Sequence, residues 1–216
     1  MELSDAIKVL AKFSGSSLTG TLSQIETSIS GKTLENCSEL LIKHNVHHDA
    51  LSASGVIKNL AGQINVIVHA LGILLCLPEI LHPDETIEYV SLGAGNTGKK
   101  FDLETNLRVA EFKFINWRGN ADTIRQNSLF KDFYGLAEDT SGKSKFLYVL
   151  GTEIPLRFLN GKRAIDSVLS KNVTLQKEFS TKYPDYKVVS DYYVPKRESV
   201  EIVDVAPLLT GLTDGF

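Results

Sequence analysis

The segment FDLETNLRVAEFKF, residues 101 to 114, most constrains the fold, because apolar and charged residues alternate on both sides of a short polar break. Alternation with a period of two is typical of a half-buried strand, and two such runs joined by Asn106 and Leu107 predict a β-hairpin. Residues pair symmetrically about a two-residue loop, so Asp102 is expected opposite Glu111. A slip of one residue would separate these carboxylates.

This register sorts the hairpin side chains onto two faces. The face expected to be buried comprises Phe101, Leu103, Ala110, Phe112 and Phe114. The opposite face carries Asp102, Glu104, Glu111 and Lys113. Cross-strand neighbours lie about 5 Å apart at their Cβ atoms, so Asp102 and Glu111 are close enough to share a divalent cation. The loop fits less well, because a primed turn needs positive φ, which Leu107 tolerates poorly.

The same spacing also fits a hairpin whose charged face is simply solvated, since charged residues alternate with apolar ones in any half-exposed strand. The surrounding sequence favours a functional site instead. A glycine-rich turn precedes the hairpin, with Gly93, Gly95 and Gly98. A polar helix with Arg125 and Gln126 follows it.

Composition is that of an ordinary soluble protein. Of 216 residues, 43% are hydrophobic and 23% are charged, which is compatible with one large domain or a small domain with an appendage. The formal net charge of −3 argues against a surface that binds polyanions everywhere, while allowing a local basic patch. Cys37 and Cys76 have no metal-site spacing, so we expect a reducing compartment.

The chain divides into a helical first part and a later part that contains strands. Residues 1 to about 80 predict helices, with breaks at SGSS and SGK. A helix at about 62–77 is apolar nearly all round, so it is expected to pack on a sheet. Pro78 and Pro83 are expected to end the helical part.

Three strand candidates follow, IEYVSL, KKFDLET and LRVAEFKFI, then a helix at about 121–137 and a strand, KFLYVLG. A helix at about 162–179 and two peripheral strands, YKVVSDYYV and ESVEIVDV, complete the pattern. We therefore expect an α/β protein with a mixed, mainly antiparallel central sheet flanked by helices. Its helical N-terminal region is 1–55, and 56–216 holds the core with a C-terminal extension.

Within this order of elements, the spacing of Asp102, Glu111 and Lys113 resembles that of the PD-(D/E)xK nuclease superfamily, over roughly residues 56 to 152. The resemblance implies a restriction-endonuclease-like core in which Asp102, Glu111 and the backbone carbonyl of Phe112 bind Mg²⁺ or Mn²⁺. It also implies that Lys113 orients or deprotonates the attacking water, or stabilises negative charge on phosphorus. Gln126 on the next helix resembles a residue that helps to orient such sites.

Two positions differ from the superfamily pattern. Phe101 stands where a proline is common, and the first core helix has Gln63, Asn65 and His69 where many members carry an acidic residue. Neutral groups lower the negative charge of a metal site, so the number of metal ions stays open. His69 lies in an apolar helix, which favours a hydrogen-bonded core histidine.

Two other motifs have simpler interpretations. The segment GAGNTGK, residues 93 to 99, contains GxxxxGK, but Lys100 replaces the hydroxyl residue of a P-loop and a strand follows instead of a helix. We expect a glycine-rich turn there. His44 and His48 have a spacing that suits zinc, yet no glutamate or cysteine accompanies them, which favours a helix end or loop.

These inferences predict a metal-dependent nuclease that acts in the cytoplasm, on DNA ahead of RNA. Lys99, Lys100 and Arg125 are expected to contact nucleic acid. The N-terminus does not resemble a signal peptide, and the apolar run 64–77 is too short to span a bilayer, so no membrane is expected. The alternative is a binding or assembly protein that keeps the nuclease fold without activity and pairs through its helical first part, as a homodimer or with a partner.

Overall fold

The structure is a computed structural model that describes residues 1–29, 34–93, 100–115, 117, 123–209 and 212, with the backbone alone for 34–38. Contacts divide the chain into two compact units, Met1–Asn65 and Val66–Phe216. The boundary expected from the sequence lay between residues 55 and 56. The functional residues expected from the sequence all belong to the second unit.

The first unit is helical, as the sequence predicts. It contains α1 (Leu3–Ser14), α2 (Leu18–Ile29), α3 (Leu34–Lys43) and the beginning of α4 (His48–Ile80). Gly15 ends α1 with a φ of 58°, and its N–H donates to the carbonyl of Ala11. Such a backbone conformation favours glycine, which explains the break at SGSS.

The second unit is built on a mixed sheet of five strands among its described residues, in the order β1-β2-β3-β4-β5. The strands are β1 (Ile87–Val90), β2 (Leu103–Thr105), β3 (Arg108–Lys113), β4 (Ser144–Val149) and β5 (Glu201–Asp204). The pairs β1–β2 and β2–β3 are antiparallel, whereas β3–β4 and β4–β5 are parallel. The α/β class and the mixed sheet are confirmed. The expectation of a mainly antiparallel sheet is wrong, because helical crossovers bring β4 and β5 in parallel to β3.

The hairpin of β2 and β3 has the predicted register, with Leu103 paired to Ala110 and Glu104 to Val109. Neither residue of its loop has positive φ, so the turn is not a primed one. Instead, Oγ1 of Thr105 accepts hydrogen bonds from the N–H groups of Leu107 and Arg108, at 3.0 and 2.9 Å. A threonine hydroxyl therefore closes the turn that Leu107 was expected to disfavour.

Helices cover both faces of the sheet, which gives the second unit two hydrophobic cores. The core on the α4 side joins helix residues to the apolar hairpin face and includes Ile73, Cys76, Leu103, Ala110, Phe112 and Tyr148. The other core lies under α5 (Thr123–Ala137) and the later helices, and includes Val109, Leu129, Phe130, Phe133, Leu147 and Tyr192. Phe101 belongs to this second core, which corrects its expected face: β2 begins only at Leu103, so strand alternation does not extend to it.

Helix α4 is longer than the apolar run that the sequence analysis delimited. It continues through Pro78 and ends at Ile80, so Pro78 does not end it. Its outer side exposes large apolar residues, among them Ile67, Leu71, Leu74 and Leu75. By length and composition alone α4 could cross a membrane, a criterion that core helices and signal sequences also meet. Helix α4 therefore packs on the sheet with one side, as expected, whereas its other side is exposed.

Gly72 on α4 leaves the space that the ring of Phe114 fills. A Cβ atom added to Gly72 would lie 2.5 Å from Cε2 of this ring, closer than any real contact. His69, one turn earlier on α4, meets the same ring edge-on, with centroids 6.1 Å apart. Phe114 directly follows β3, so Gly72 sets how closely α4 approaches the end of that strand at His69.

The C-terminal part is more helical than the sequence predicts. Between β4 and β5 lie α6 (Glu153–Leu159), α7 (Ile165–Leu169), α8 (Val173–Lys182) and α9 (Val189–Lys196). The helix expected at about 162–179 is interrupted before Asn172, whose side chain caps α8. The expected strand YKVVSDYYV is wrong, because most of it forms α9, whereas ESVEIVDV does contain β5 at the sheet edge.

Candidate functional site

Asp102 and Glu111 meet at one end of the β2–β3 hairpin. Asp102 directly precedes β2, and Glu111 lies within β3. The Phe112 N–H donates to Oδ2 of Asp102 at 3.0 Å, which fixes this carboxylate beside β3. The carboxyl of Glu111 hydrogen-bonds with that of Asp102. The register predicted from the sequence thus brings together the two carboxylates that it was expected to bring together.

His69 reaches this pair from α4. Its Nε2 lies 3.4 Å from Oδ1 of Asp102. This nitrogen is buried and makes no hydrogen bond of good geometry within the described part of the chain. The imidazole therefore stands at the carboxylate pair, where the sequence analysis expected only a core histidine.

Lys113 reaches the site from β3 and pairs with a residue that the sequence analysis did not single out. Its Nζ lies 2.5 Å from Oδ2 of Asp132 on α5. Both side chains are largely shielded from water, with 18% of Lys113 and 12% of Asp132 exposed. The charged face of the hairpin is therefore shielded around Glu111 and Lys113, whereas Glu104 on the same face is 40% exposed.

Asp132 had a recognisable signal in the sequence. It lies three residues after Leu129 and four before Leu136, both of which are fully buried on α5. A carboxylate at this spacing lies among the buried positions of its helix. Its partner Lys113 is remote in sequence, however, so the pattern reveals the burial and not the ion pair.

The two carboxylates of the pair differ in their pKa values. Burial would raise the pKa of Asp102, but the neighbouring His69 and the hydrogen bond from the Phe112 N–H hold it below its ordinary value. Burial, followed by the nearby charges of Asp132 and Asp102, raises the pKa of Glu111 far above its ordinary value. The carboxyl of Glu111 therefore carries a proton at neutral pH and shares it with Asp102.

The pKa values of Lys113 and Asp132 are also shifted by their surroundings. Burial lowers the pKa of Lys113, but Asp132, Glu111 and Asp102 together outweigh burial and raise it. Burial also raises the pKa of Asp132, against the attraction of Lys113. Lys113 is thus an ammonium ion at neutral pH, and Asp132 is its closest counter-charge.

The structure describes three of the other predicted residues. Oε1 of Gln126 accepts a hydrogen bond from Arg163. Arg125 is half-buried on α5. Lys100 pairs with Asp139 at 2.9 Å and lies over the ring of Phe101. Lys99 and most of the glycine-rich turn lie outside the described residues.

No three His, Cys, Asp or Glu side chains within the described ranges are arranged to hold a metal ion. The Asp102–Glu111 pair still suits one hard cation, because the two carboxyl groups lie within hydrogen-bonding reach of each other and could both bind the same ion. The Phe112 carbonyl and water would have to complete the ligands. The nearby Lys113 forms its ion pair with Asp132.

Comparison with models of protein families, with curated proteins and with solved structures finds no match for this chain. The residues of the site, Asp102, Glu111 and Lys113, are therefore the basis for a functional proposal.

Proposed function

We propose that this protein is a metal-dependent nuclease that hydrolyses phosphodiester bonds, with DNA as the preferred substrate. The observation that carries the proposal is the convergence of Asp102 and Glu111 at the hairpin end, with the Lys113 ammonium beside them. Paired carboxylates next to a fixed cation are suited to phosphoryl chemistry, in which negative charge grows in the transition state.

The topology supports a restriction-endonuclease-like core. A helix, α4, precedes three antiparallel strands, and α5 then carries the chain to a parallel fourth strand. This is the order of elements on which the resemblance to the PD-(D/E)xK superfamily rests. The proposed membership therefore agrees with both the topology and the site spacing.

In this proposal Asp102, Glu111 and the carbonyl of Phe112 hold Mg²⁺ or Mn²⁺. When bound, such a cation would lower the pKa of a water molecule and polarise the scissile phosphate. Lys113 would oppose the charge that develops on phosphorus, because its ammonium lies on the same side of the sheet as Glu111 and interacts with the charges of the pair. Gln126 would act only through α5 and Arg163, given its hydrogen bond.

The proposed partner is nucleic acid in the cytoplasm, contacted by Lys99, Lys100 and Arg125. Lys100 would have to exchange Asp139 for a phosphate group. The Lys100 side chain is 59% exposed and can reach a phosphate from solvent, whereas that of Asp139 is only 9% exposed. A local basic contact of this size is compatible with the net charge of −3.

An inactive nuclease-fold protein that binds or assembles is the second candidate. One observation favours it: among the described residues, no third acidic or histidine side chain completes a metal site. The side chain that approaches the pair from α4 is His69, and not an acidic residue. A site with two carboxylates binds divalent cations more weakly than one with three.

Cleavage of single- and double-stranded DNA and RNA in Mg²⁺ or Mn²⁺ tests the proposal. We expect Asp102→Ala and Lys113→Ala each to lower the cleavage rate by about 100-fold or more, in line with the loss of a transition-state charge partner. Glu104→Ala is the matched control, because Glu104 lies on the same hairpin but pairs with Lys143. Absence of cleavage and of metal binding by the wild type would favour the assembly protein.

A further inference from the structure

The position of Lys113 is unusual for a lysine beside two carboxylates. Lys113 and Glu111 are two residues apart in β3, so they project from the same face of the sheet. The Lys113 charge attracts both Glu111 and Asp102. An unrestrained lysine at this position would be expected to turn onto the pair. Its ammonium instead lies 2.5 Å from Asp132, on the helix that covers the face.

We propose that Asp132 is a positioning residue that holds the Lys113 ammonium away from the Asp102–Glu111 pair and thereby keeps this pair open to a divalent cation. The inference rests on the proposed function, because it assumes that the pair is the metal site. It assigns a role to a buried carboxylate that the proposed chemistry does not otherwise use.

Three carboxyl groups act on Lys113. Glu111 and Asp102 attract its ammonium from the hairpin side without contacting it, and Asp132 attracts it from α5. The closest atom is the Oδ2 of Asp132, so α5 supplies the stronger attraction. Lys131, adjacent to Asp132 in sequence, is exposed and adds a second positive charge near that carboxylate.

A Lys113 side chain freed from Asp132 could turn toward Asp102 and Glu111. A lysine ammonium has three donors on a flexible stem, so it can occupy the carboxylate oxygens that a cation needs. It would also repel a divalent cation at the same point. Without Asp132, Lys113 would therefore compete with the metal for Asp102 and Glu111, whereas with Asp132 it remains beside them as a second-layer charge.

A purely structural role for Asp132 makes a different prediction. If Asp132 only anchors α5, its loss lowers the stability of the fold without changing metal affinity in the protein that remains folded. If Asp132 restrains Lys113, its loss weakens metal binding, and removal of Lys113 restores that binding. The two roles are separated by the double variant.

The experiment is calorimetric titration of Mn²⁺ into the full-length wild type, Asp132→Asn, Lys113→Met and the double variant, with thermal unfolding as the check of folding. We expect Asp132→Asn to bind Mn²⁺ about 10-fold more weakly or worse, the size typical of a lost second-layer partner. Lys113→Met is expected to bind at least as tightly as the wild type, and the double variant to match Lys113→Met. Asp132→Glu keeps the charge and should keep the binding.

Unchanged binding in Asp132→Asn, or a double variant as weak as Asp132→Asn, would overturn the positioning role while the proposed function stands. A wild type that binds no Mn²⁺ would remove the metal site and both proposals with it. A crystal structure of metal-free Asp132→Asn gives a second readout: we expect Nζ of Lys113 within ion-pair distance of Asp102 or Glu111. Retention of its present position would contradict the proposal.

Discussion

Two shielded carboxyl groups near α5 have pKa values that are shifted in opposite directions. Glu138 directly follows α5 and accepts hydrogen bonds from the hydroxyls of Tyr183 and Tyr192, at 2.6 and 2.7 Å. Burial opposes its ionisation, but these bonds and Lys182 outweigh burial and lower the pKa of Glu138 to about 2. Glu111 instead faces the carboxylates of Asp132 and Asp102, and burial together with these charges raises its pKa.

The difference shows that partners, and not burial alone, decide whether a shielded carboxylate stabilises a fold. The Glu138 side chain is only 13% exposed, but Lys196 lies 3.4 Å away and also favours its ionised form. Tyr192 connects it to the aromatic core through ring contacts with Phe130, Phe133, Tyr134 and Phe179. We interpret Glu138 as structural and Glu111 as a group kept available for a ligand.

The largest expected effect tests the structural half of this comparison. Glu138→Ala leaves the hydroxyls of the buried Tyr192 and the partly buried Tyr183 without their acceptor, and we expect a loss of about 3 kcal/mol in the free energy of unfolding. Urea denaturation measures it. Glu153→Ala is the matched control, because Glu153 is exposed and its pairing with Arg157 on α6 contributes little. If the loss in unfolding free energy is no larger than that of the control, the hydrogen bonds of Glu138 do not stabilise the fold.

The next effect concerns acid. The folded pKa of Glu138 lies below its unfolded value, so its contribution to stability is complete above about pH 4.5 and is lost as the pH falls toward 2. We expect the wild type to lose about 2 kcal/mol from this group by pH 3. The measurement is the difference in unfolding free energy between wild type and Glu138→Gln from pH 7 to pH 3. A constant difference would contradict the assigned hydrogen bonds.

The smallest expected effect concerns Glu111, the carboxyl group whose pKa is raised. The folded pKa of Glu111 lies above its unfolded value, so wild-type stability falls as the pH rises from about 4.5 through that folded value. Glu111→Gln removes this penalty and keeps the shape, and we expect a gain of about 1 kcal/mol at pH 7 without metal. Thermal unfolding at pH 5 and pH 8 should show the gain growing with pH. Destabilisation at both values would identify Glu111 as a structural residue like Glu138.

The hairpin was predictable because its register depends on local alternation and on a turn that Thr105 closes through its own hydroxyl. The meeting of Asp102 and Glu111 followed from that register. The segment YKVVSDYYV was not predictable by the same rule, because β-branched and aromatic residues also suit a helix whose buried side has a spacing of three and four residues. Val189, Tyr192 and Tyr193 have that spacing in α9, and Asp191 caps the helix.

The remaining features of the site depend on contacts between elements remote in sequence. His69 reaches Asp102 only because α4 packs on the sheet, and Asp132 reaches Lys113 only because α5 crosses the opposite face. No local periodicity encodes either distance. The sequence therefore predicted the residues that come from one hairpin and missed the roles of those contributed by the two covering helices.

Gly72 connects the packing of α4 to the geometry of the charged cluster. The residue has no side chain, yet a single added methyl group would collide with the ring of Phe114, so either this ring or α4 would have to shift. His69 contacts the same ring and lies one turn away on the same helix, so either shift would change its surroundings. A residue without reactive groups therefore limits the geometry of the charged cluster, and its tolerance to substitution measures how much positional error the site can absorb.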